Sequence, residues 1–408
     1  MQVDLNGKTI LLGVTGSISA YKACDIARLF VKAGADVHIV MTSSAERFVS
    51  ALTFEALTRN TVLTDATESW SSELNHIDIG KKCDAFVIAP ATANTINKLN
   101  HGIADNILTQ TALAYTKEII IAPAANTNML LNHATRDSIH HLKSNGYTII
   151  EPQEKLLACG DTGSGALAEP IEVFYATAKA LFKDPFWKDR EVVVTGGGTR
   201  EKIDEVRYIS NFSSGKMANA LSLSLCLRGA NVTYISTMGF SDLPLNIKRV
   251  EANCAEDILQ ETQKSITAVT TQESALMPYL FMVAAVADFK PTKPKDGKVK
   301  KSSVGTHWNI ELEQTTDVLA TIDKSKIKTV GFKAEMDSQE GLNNAIALLE
   351  KKRVDAVCYN LLDDAKSFGG SDNEITFITK EKQIPLGRTD KLTLATKILD
   401  QAKGLIDG

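Results

Sequence analysis

Residues 8–41 read KTILLGVTGSISAYKACDIARLFVKAGADVHIVM. The stretch opens with an apolar run, turns through Gly13-Val14-Thr15-Gly16-Ser17, and continues as an amphipathic segment that ends at Lys32. After Gly34 it becomes apolar again, from Val37 to Met41. A strand, a glycine-containing turn, a helix ended by glycine and a second strand are typical of the start of a doubly wound parallel sheet.

The same pattern returns in the second half of the chain. An apolar run from Glu191 to Thr195 leads into Gly196-Gly197-Gly198, a helical pattern spans 215–228, and a strand follows at 232–236. Further buried strands are expected at 85–89, 118–122, 280–284 and 329–332. We therefore predict an α/β protein with two Rossmann-like domains, each a doubly wound parallel sheet.

The connection between the halves is expected near residue 189. At 408 residues the chain is long enough for two domains. The segment 184–190, which contains Pro185, has the composition of a hinge. The predicted domains are residues 1–189 and residues 190–408.

The bulk composition excludes several classes of protein. The formal net charge of −4 does not indicate a nucleic-acid-binding protein. Six cysteines without a CxxC pair fit free thiols better than disulfides or a zinc site. No apolar run reaches the roughly 20 residues that span a bilayer, and the N-terminus lacks a signal-peptide pattern. We expect a cytoplasmic protein that binds neither nucleic acid nor membrane.

The two glycine-containing turns do not favour a nicotinamide dinucleotide. Neither turn matches GxGxxG, and the acid that would hold a ribose diol is missing after the second strand of each half. The first half has Thr42 and Ser43 there. Hydroxyls beside a helix N-terminus suit a phosphate, so FMN is the better prediction and a two-site nicotinamide oxidoreductase remains the weaker alternative.

Four loops of the first half carry candidate site residues. Gly16-Ser17-Ile18-Ser19 could offer N–H groups and hydroxyls to a phosphate, or could be a turn with a serine helix cap. The loop 89–95 could let a flat ring approach the backbone, or could be a plain turn. The third is the loop 122–129, which holds Asn126, and the fourth is the glycine-rich segment 158–165, which holds Cys159. Taken alone, His76, Asn126 and Cys159 are each more often structural.

In combination these segments resemble the flavin-containing cysteine decarboxylases. The match covers residues 13–22, Asn75-His76-Ile77, and the segments 89–94, 126–129 and 158–163. The resemblance implies oxidation of a cysteinyl thiol with FMN followed by loss of CO₂. His76 would act at these steps, Asn126 would hold the substrate carboxylate, and Cys159 would donate the proton that returns the product to the reduced thiol. The residues that it assigns to FMN are Gly16, Ser17, Ile18, Thr42, Ser43, Thr92, Ala93 and Asn94.

Two positions depart from that family's pattern. Ala125 stands where methionine usually precedes the loop asparagine, a packing change that we expect to be tolerated. Ala166 stands where the glycine-rich segment usually continues with arginine. If that arginine clamps the substrate, the clamp is weaker here.

The second half combines a helix start, an acid and several lysines. Ser213-Ser214-Gly215 precedes the predicted helix and could bind phosphate, or could be an ordinary serine cap. Asp288 ends an apolar run predicted as a strand from Ala284, and a lysine-rich loop follows at 298–301. An acid for Mg²⁺ and a lysine for phosphate charge are what a metal–nucleotide site needs, although such a lysine run alone is more often a solvated loop.

These pieces resemble the phosphopantothenate–cysteine ligase half of the bifunctional coenzyme A biosynthesis family. The resemblance implies that a carboxylate attacks the α-phosphate of CTP, and that cysteine displaces CMP from the acyl-cytidylate. Lys298 would stabilise charge during activation and Asn211 would orient the acyl intermediate. Asp288 would hold Mg²⁺, and Arg207, Ser213 and Ser214 would contact the substrate. The nucleotide would be surrounded by Met282, Val283, Ala284, Asp288, Lys298, Thr315, Thr316, Asp317, Val318, Phe332 and Lys352.

One nucleotide contact departs from that pattern, because Leu348 stands where the family often has a lysine. The choice of CTP over ATP comes from the resemblance alone. The resemblance also implies homo-oligomers, with trimerising decarboxylase domains and dimerising ligase domains.

Together the two halves predict an enzyme that joins cysteine to 4′-phosphopantothenate and then decarboxylates the product with FMN. The alternative from another class is a flavin-binding regulatory subunit of the same fold without turnover. The presence of His76, Asn126 and Cys159 together favours the enzyme.

Overall fold

The protein was analysed as a computed structural model that describes residues 3–156, 162–240, 243–271, 276–336, 338–362 and 369–406. The chain forms two compact units, which divide between Phe182 and Lys183. None of the described helices has the length and apolar character needed to cross a lipid bilayer.

The first unit consists of one parallel sheet, one hairpin and eight helices among its described residues. Its strands are β1 Thr9–Val14, β2 Asp36–Met41, β3 Ala85–Ala91, β4 Ile119–Pro123, β5 Thr148–Ile149, β6 Gln153–Leu156 and β7 Thr162–Ala166. Its helices are α1 Ala20–Lys32, α2 Ala51–Thr58, α3 Asp78–Lys82, α4 Ala93–His101, α5 Ile107–Ala114, α6 Thr127–Leu131, α7 His133–Ser144 and α8 Pro170–Phe182.

The parallel sheet of the first unit has the strand order β2-β1-β3-β4-β5. Strands β3 and β4 are buried along their whole length, as expected when helices cover both faces of a sheet. Helix α1 turns Ala23, Ile26, Ala27 and Phe30 inward at helical spacing. Because the order reverses between β1 and β3, the loops after these two strands diverge and leave a crevice at their carboxyl ends.

The second unit has a larger sheet with two small hairpins beside it. Its strands are β8 Glu191–Gly196, β9 Glu201–Lys202, β10 Tyr208–Ile209, β11 Asn231–Ser236, β12 Lys248–Glu251, β13 Tyr279–Met282, β14 Phe289–Pro291, β15 Leu312–Gln314, β16 Lys328–Glu335, β17 Ala356–Leu361, β18 Asp372–Ile378 and β19 Gln383–Asp390. Its helices are α9 Lys216–Leu227, α10 Ala255–Thr271, α11 Lys301–Val304, α12 Val318–Thr321, α13 Ser338–Lys352 and α14 Lys391–Lys403.

The large sheet has the order β12-β11-β8-β13-β16-β17-β18-β19. The first six strands are parallel and follow the order of a dinucleotide-binding fold, with the reversal between β8 and β13. Strands β18 and β19 extend the sheet in antiparallel pairing. The predicted α/β class with two Rossmann-like parallel sheets is confirmed, while the antiparallel extension was not predicted.

The segment 184–190 packs into the second unit. Trp187 is fully buried, and its ring lies 5.0 Å from that of Tyr279, between centroids. The carboxylate of Asp184 forms an ion pair with Lys403 of α14. The division of the chain therefore falls before this segment, earlier than the predicted boundary near residue 189, because the aromatic contacts of Trp187 belong to the second core.

The predicted strand at 284–288 is wrong. Strand β13 ends at Met282, and the residues after it turn their N–H groups toward the end of β8 and the loop that follows it. Ala284 N–H donates to Thr195 Oγ1 over 3.2 Å, and Ala285 N–H donates to Gly197 O over 2.8 Å. The loop therefore lies at the reversal point of the sheet. The lysine run at 298–301 also differs from expectation, because its last residue begins helix α11.

We predict that Trp187→Ala destabilises the second unit and leaves the first unit unchanged. Removal of a buried Trp side chain typically costs about 3–5 kcal/mol. Hydrogen exchange followed by mass spectrometry should show lost protection in peptides from 190–406 and normal protection in peptides from 3–182. Leu245→Ala is the matched control, because this side chain of the same unit is exposed. Equal loss of protection in both units would contradict the assignment of the segment 184–190 to the second core.

Candidate functional site

Thr15 ties together the two loops that border the crevice of the first unit. Its hydroxyl donates to Pro90 O over 2.7 Å and accepts from Thr92 N–H over 3.0 Å. Its side chain is buried, so these bonds are shielded from water. The loop after β1 and the loop after β3 are thus held side by side at the reversal point, where the fold binds its ligands.

The loop after β1 makes a close approach to the loop after β2. A Cβ on Gly16 would lie 2.6 Å from the Cβ of Ser44, so only glycine fits there. Ser17 Oγ accepts from Ser19 N–H over 3.2 Å, whereas the side chain of Ser19 makes no cap to α1. Helix α1 therefore begins without a side-chain cap, the N–H groups of Ala20 and Lys22 donate to Ser17 O and Ser19 O, and the hydroxyls of Ser17 and Ser43 lie on the flanking loops. This donor set fits a phosphate.

The other residues predicted to bind FMN lie on the loops after β2 and β3. Thr42 is buried, and its hydroxyl accepts from Ala45 N–H over 3.3 Å. Thr92 caps α4 by accepting from Thr95 N–H, Ala93 is buried in the first turn, and Asn94 is exposed. Ile18 is 58% exposed ahead of α1. The apolar side chain of Ile18 and the small side chain of Ala93 leave room for a flat ring against these loops.

Asn126 lies against the hairpin formed by β6 and β7. Its Oδ1 accepts from Asn128 N–H over 2.9 Å at the start of α6. The preceding residue, Ala125, donates its N–H to Gly165 O over 3.1 Å. A Cβ on Gly165 would lie 2.2 Å from Ala125 O, so the hairpin packs on the asparagine loop without space for a side chain. Cys159, between the two strands of this hairpin, lies outside the described residues.

His76 is held by a carboxylate that the sequence did not single out. His76 Nδ1 lies 2.6 Å from Glu68 Oε1, and the imidazole is only partly exposed. The indole of Trp70 meets the imidazole edge-on, with 5.7 Å between ring centroids. The carboxylate favours the imidazole tautomer with the proton on Nδ1, which leaves Nε2 as the nitrogen that can accept a proton.

A cavity of about 1060 Å³ opens at the reversal point of the second sheet. The loops after β8 and β13 form its floor, and they are tied by Ala287 N–H, which donates to Thr199 Oγ1 over 2.9 Å. Most of the ligase residues expected from the sequence line it. They are Asn211, Ser213, Ser214, Met282, Val283, Ala284, Asp288, Thr315, Thr316, Asp317, Val318, Phe332 and Lys352.

Contacts within the cavity orient the residues that are predicted to act on the substrate. Asn211 Nδ2 donates to Val286 O over 3.0 Å, which places the amide against the loop after β13. Helix α9 begins after Gly215, whose φ is +69°, and no side chain caps it. The helix start is thus open toward the cavity, unlike the ordinary serine cap considered from the sequence.

Two oppositely charged residues of the cavity pair with each other. Lys352 donates to Asp317 Oδ2 at the end of α13. Although burial opposes ionisation, this lysine and the N–H of Ala320 hold the pKa of the Asp317 carboxyl below its usual range.

Among the described residues, no cluster of three or more His, Cys, Asp or Glu side chains could hold a metal ion. A cation here would depend on Asp288 and on oxygens of a bound nucleotide.

The lining residues of the cavity do not include Arg207 or Lys298. Arg207 pairs with Asp204 over 3.1 Å, and its guanidinium lies 5.2 Å from the centroid of the Trp308 ring. Lys298 is exposed in the loop after β14. The roles expected of these two residues therefore remain predictions.

Several lining residues escaped prediction. Leu348 is not among them, since the sequence marked this position as a departure from the family pattern, and it lines the cavity as an apolar side chain. Lys391 is buried at the start of α14, where burial lowers the pKa of its ammonium group. No local pattern marks such residues, because they come from separate helices and strands that meet only in the folded unit. The other lining residues of this kind are Lys216, Lys333, Asn360 and Asn373.

Comparisons with known families and proteins agree with this division of the chain. Residues 1–182 match the family described as Flavoprotein, and residues 187–405 match the DNA/pantothenate metabolism flavoprotein C-terminal domain. The Coenzyme A biosynthesis bifunctional protein CoaBC of Bacillus subtilis (strain 168) is 37% identical over 410 residues, covering 98% of each chain. That of Haemophilus influenzae is 34% identical over 404 residues, again covering 98% of each chain.

Solved structures resemble each half separately. A mutant PPC decarboxylase complexed with pantothenoylaminoethenethiol covers 41% of this chain and 95% of its own, with 35% identity and a TM-score of 0.39. The C-terminal domain of a Coenzyme A biosynthesis bifunctional protein CoaBC covers 54% of this chain and 98% of its own, with 28% identity and a TM-score of 0.44.

The fold and the family matches define a two-unit α/β enzyme in which a flavoprotein unit precedes a ligase unit. The full-length relatives specify which enzyme this is. The chain belongs to the family of bifunctional coenzyme A biosynthesis proteins, and it joins a phosphopantothenoylcysteine decarboxylase to a phosphopantothenate–cysteine ligase.

We predict that Gly165→Ala impairs decarboxylation and leaves amide formation intact. The new methyl group would meet Ala125 O at 2.2 Å, so the asparagine loop must shift. Displacement of a positioning group by about 1 Å can cost roughly 10²-fold in rate. Release of CO₂ from added phosphopantothenoylcysteine measures the effect. Gly80→Ala is the control, since its methyl group would meet Tyr115 at an ordinary 3.6 Å. Normal CO₂ release by the Gly165 variant would show that the hairpin does not position the loop.

Proposed function

We propose that the second unit uses CTP to join cysteine to 4′-phosphopantothenate, and that the first unit then decarboxylates the product to 4′-phosphopantetheine with FMN. The observation that carries this proposal is the cavity at the reversal point of the second sheet, where Asn211, Asp288, Phe332 and Lys352 converge. A crevice with an uncapped helix start occupies the corresponding place in the first sheet.

In the first unit the loops after β1, β2 and β3 would hold FMN. The start of α1 with Ser17 and Ser43 would bind its phosphate, and the segment Thr92-Ala93-Asn94 would face the ring. Bound FMN supplies the two-electron oxidation of the substrate thiol that makes decarboxylation possible. Asn126 would hold the leaving carboxylate with a neutral amide, which does not oppose the loss of charge when CO₂ departs.

His76 would move a proton at its Nε2 atom during these steps. Glu68 accepts from Nδ1, so the carboxylate fixes the ring orientation and stabilises the imidazolium that forms. Glu68 is therefore a positioning residue in this proposal. Cys159 would supply the final proton to the carbon of the product enethiol.

In the second unit a carboxylate oxygen of 4′-phosphopantothenate would attack the α-phosphorus of CTP. The bond from that phosphorus to the bridging oxygen breaks, and pyrophosphate leaves. The amine of cysteine then attacks the acyl carbonyl, CMP departs and the amine loses a proton. Asp288 would bind Mg²⁺ together with nucleotide phosphates, and Lys298 would neutralise charge on the phosphorane.

The substrate and nucleotide are expected to approach the cavity from opposite sides. Ser213 and Ser214 precede the open start of α9, which suits the anionic substrate with Arg207 nearby in sequence. Phe332 on β16 and Lys352 at the end of α13 also line the cavity, where they would contact the nucleotide. The preference for CTP is also part of the proposal. So is a homo-oligomer in which the first units trimerise and the second units dimerise. Exposed apolar side chains on the first unit, Tyr21, Leu52 and Leu113, are compatible with such contacts.

We expect Asn211→Asp to permit activation and to block amide formation. A carboxylate in this place would repel the anionic acyl-cytidylate, whereas the amide can orient it. Pyrophosphate release in a single turnover should persist while phosphopantothenoylcysteine fails to accumulate. Decarboxylation of added phosphopantothenoylcysteine by the same preparation serves as the control. Amide formation at the wild-type rate would remove Asn211 from the mechanism.

We expect Cys159→Ser to release CO₂ yet to leave the product oxidised. The serine hydroxyl is a far weaker acid than a thiol, whose pKa is ordinarily about 8.5, so it should protonate the product enethiol poorly. Mass spectrometry should find an enethiol lighter by two hydrogens than 4′-phosphopantetheine. The visible spectrum should show that the flavin remains reduced. Fully reduced product at the normal rate would refute the role of Cys159 as donor.

A further inference from the structure

A buried carboxylate of the second unit joins two loops. The proposed reaction does not by itself account for this contact between the loops. Asp204 is 2% exposed, between β9 and β10. Its Oδ1 accepts from the N–H groups of Val206 and Arg207, each over 2.8 Å. This oxygen therefore closes the local turn at 203–207.

The other oxygen of the same carboxylate faces the lysine-rich loop. Asp204 Oδ2 accepts from Val299 N–H over 3.1 Å and lies 3.1 Å from Arg207 Nη1. Arg207 Nη2 in turn donates to Val299 O over 3.2 Å. The N–H and the C=O of Val299 are thus held by the two members of one ion pair. Val299 is the immediate neighbour of Lys298, so this grip limits where the lysine can reach.

Further contacts join the same two segments. Lys295 N–H donates to Ile203 O over 2.9 Å, and Glu205 N–H lies 3.5 Å from Gly297 O. Burial opposes ionisation of Asp204, but the N–H groups of Val206, Val299 and Arg207, with the Arg207 guanidinium, hold the pKa of its carboxyl below the usual range. A charged carboxylate is therefore present beside a loop rich in lysines, whose mutual repulsion it offsets.

We infer that Asp204 is a positioning residue for the activation half-reaction, because it fixes Val299 and thereby the reach of Lys298. The inference rests on the proposed function of Lys298. It extends that function by identifying Asp204 as the group that holds the lysine-rich loop and Arg207 in fixed positions.

Asp204→Asn separates this role from closure of the turn. The amide keeps an oxygen for Val206 and Arg207, but it turns an NH₂ donor toward the donors of Val299 and Arg207. Pyrophosphate release should slow by roughly 10²-fold, as expected when a catalytic group is displaced by about 1 Å. Trypsin should cut the loop 293–300 faster. Glu205→Gln, which alters an exposed neighbour paired with Lys202, should change neither quantity.

The combination with Lys298→Gln distinguishes positioning from general destabilisation. Loss of the lysine should itself slow pyrophosphate release by about 10²-fold or more. If Asp204 acts through Lys298, the double variant should be no slower than Lys298→Gln alone. Multiplied losses would overturn the inference, as would normal pyrophosphate release by Asp204→Asn. Normal release by Lys298→Gln would instead overturn the proposed function of the lysine.

A second pair of variants tests the same contact from the loop side, should Asp204→Asn not fold. Val299→Pro removes the N–H group that donates a hydrogen bond to Asp204, whereas Val299→Ala keeps this group. Pyrophosphate release should fall in the proline variant and stay near the wild-type rate in the alanine variant. Equal rates in these two variants would overturn the inference. Decarboxylation of added phosphopantothenoylcysteine, which belongs to the first unit, measures the amount of chain in every preparation, and hydrogen exchange in peptides from 190–406 shows whether the second unit is folded.

Discussion

Both functional regions depend on a buried threonine hydroxyl at the end of the first strand of each sheet. Thr15 bridges the loops after β1 and β3, and Thr195 accepts from Val283 and Ala284 in the loop after β13. At a reversal point the neighbouring strands carry their chain connections away in opposite directions. Without a polar bridge, the backbone N–H groups that line the crevice would lack partners in a place shielded from water.

These bridges explain why site residues come from loops that are far apart in the chain yet are held in fixed positions. Asn211 bonds to Val286, and Thr199 bonds to Ala287, so the loop that carries Asn211 is fastened to the same floor that Thr195 organises. Asp204 adds a second layer of the same kind, since it fastens the lysine loop to the turn that precedes Asn211. Positioning by buried hydrogen bonds is what electrostatic stabilisation of a transition state requires.

The two units differ in how they handle charge. The first unit relies on neutral amides, hydroxyls and a helix start, which suits a cofactor phosphate and a carboxylate that must leave as CO₂. The second unit gathers Lys216, Lys333, Lys352 and Lys391 around one cavity, and several of these are already paired or buried. A triphosphate and a carboxylate carry negative charge that such lysines can attract.

The sequence by itself determined the class of fold and the order of the loops. Apolar runs, the glycines after β1 and β8, and the helical spacing of α1 are local patterns, so they can be recognised one segment at a time. They also located His76, Asn126 and part of the lining of the cavity in the second unit, although the roles of these residues needed the family resemblance. The tertiary structure alone decided the partners of these residues. Glu68 reaches His76 across a loop without periodicity, and Asp204 meets Val299 from 95 positions earlier in the chain. The run at 284–288 has the composition of a strand, but Thr195 and Thr199 draw its N–H groups into a loop. Such contacts depend on how an irregular loop folds, as for Glu68 and His76, or on where distant backbones meet, and no local spacing of residues encodes either.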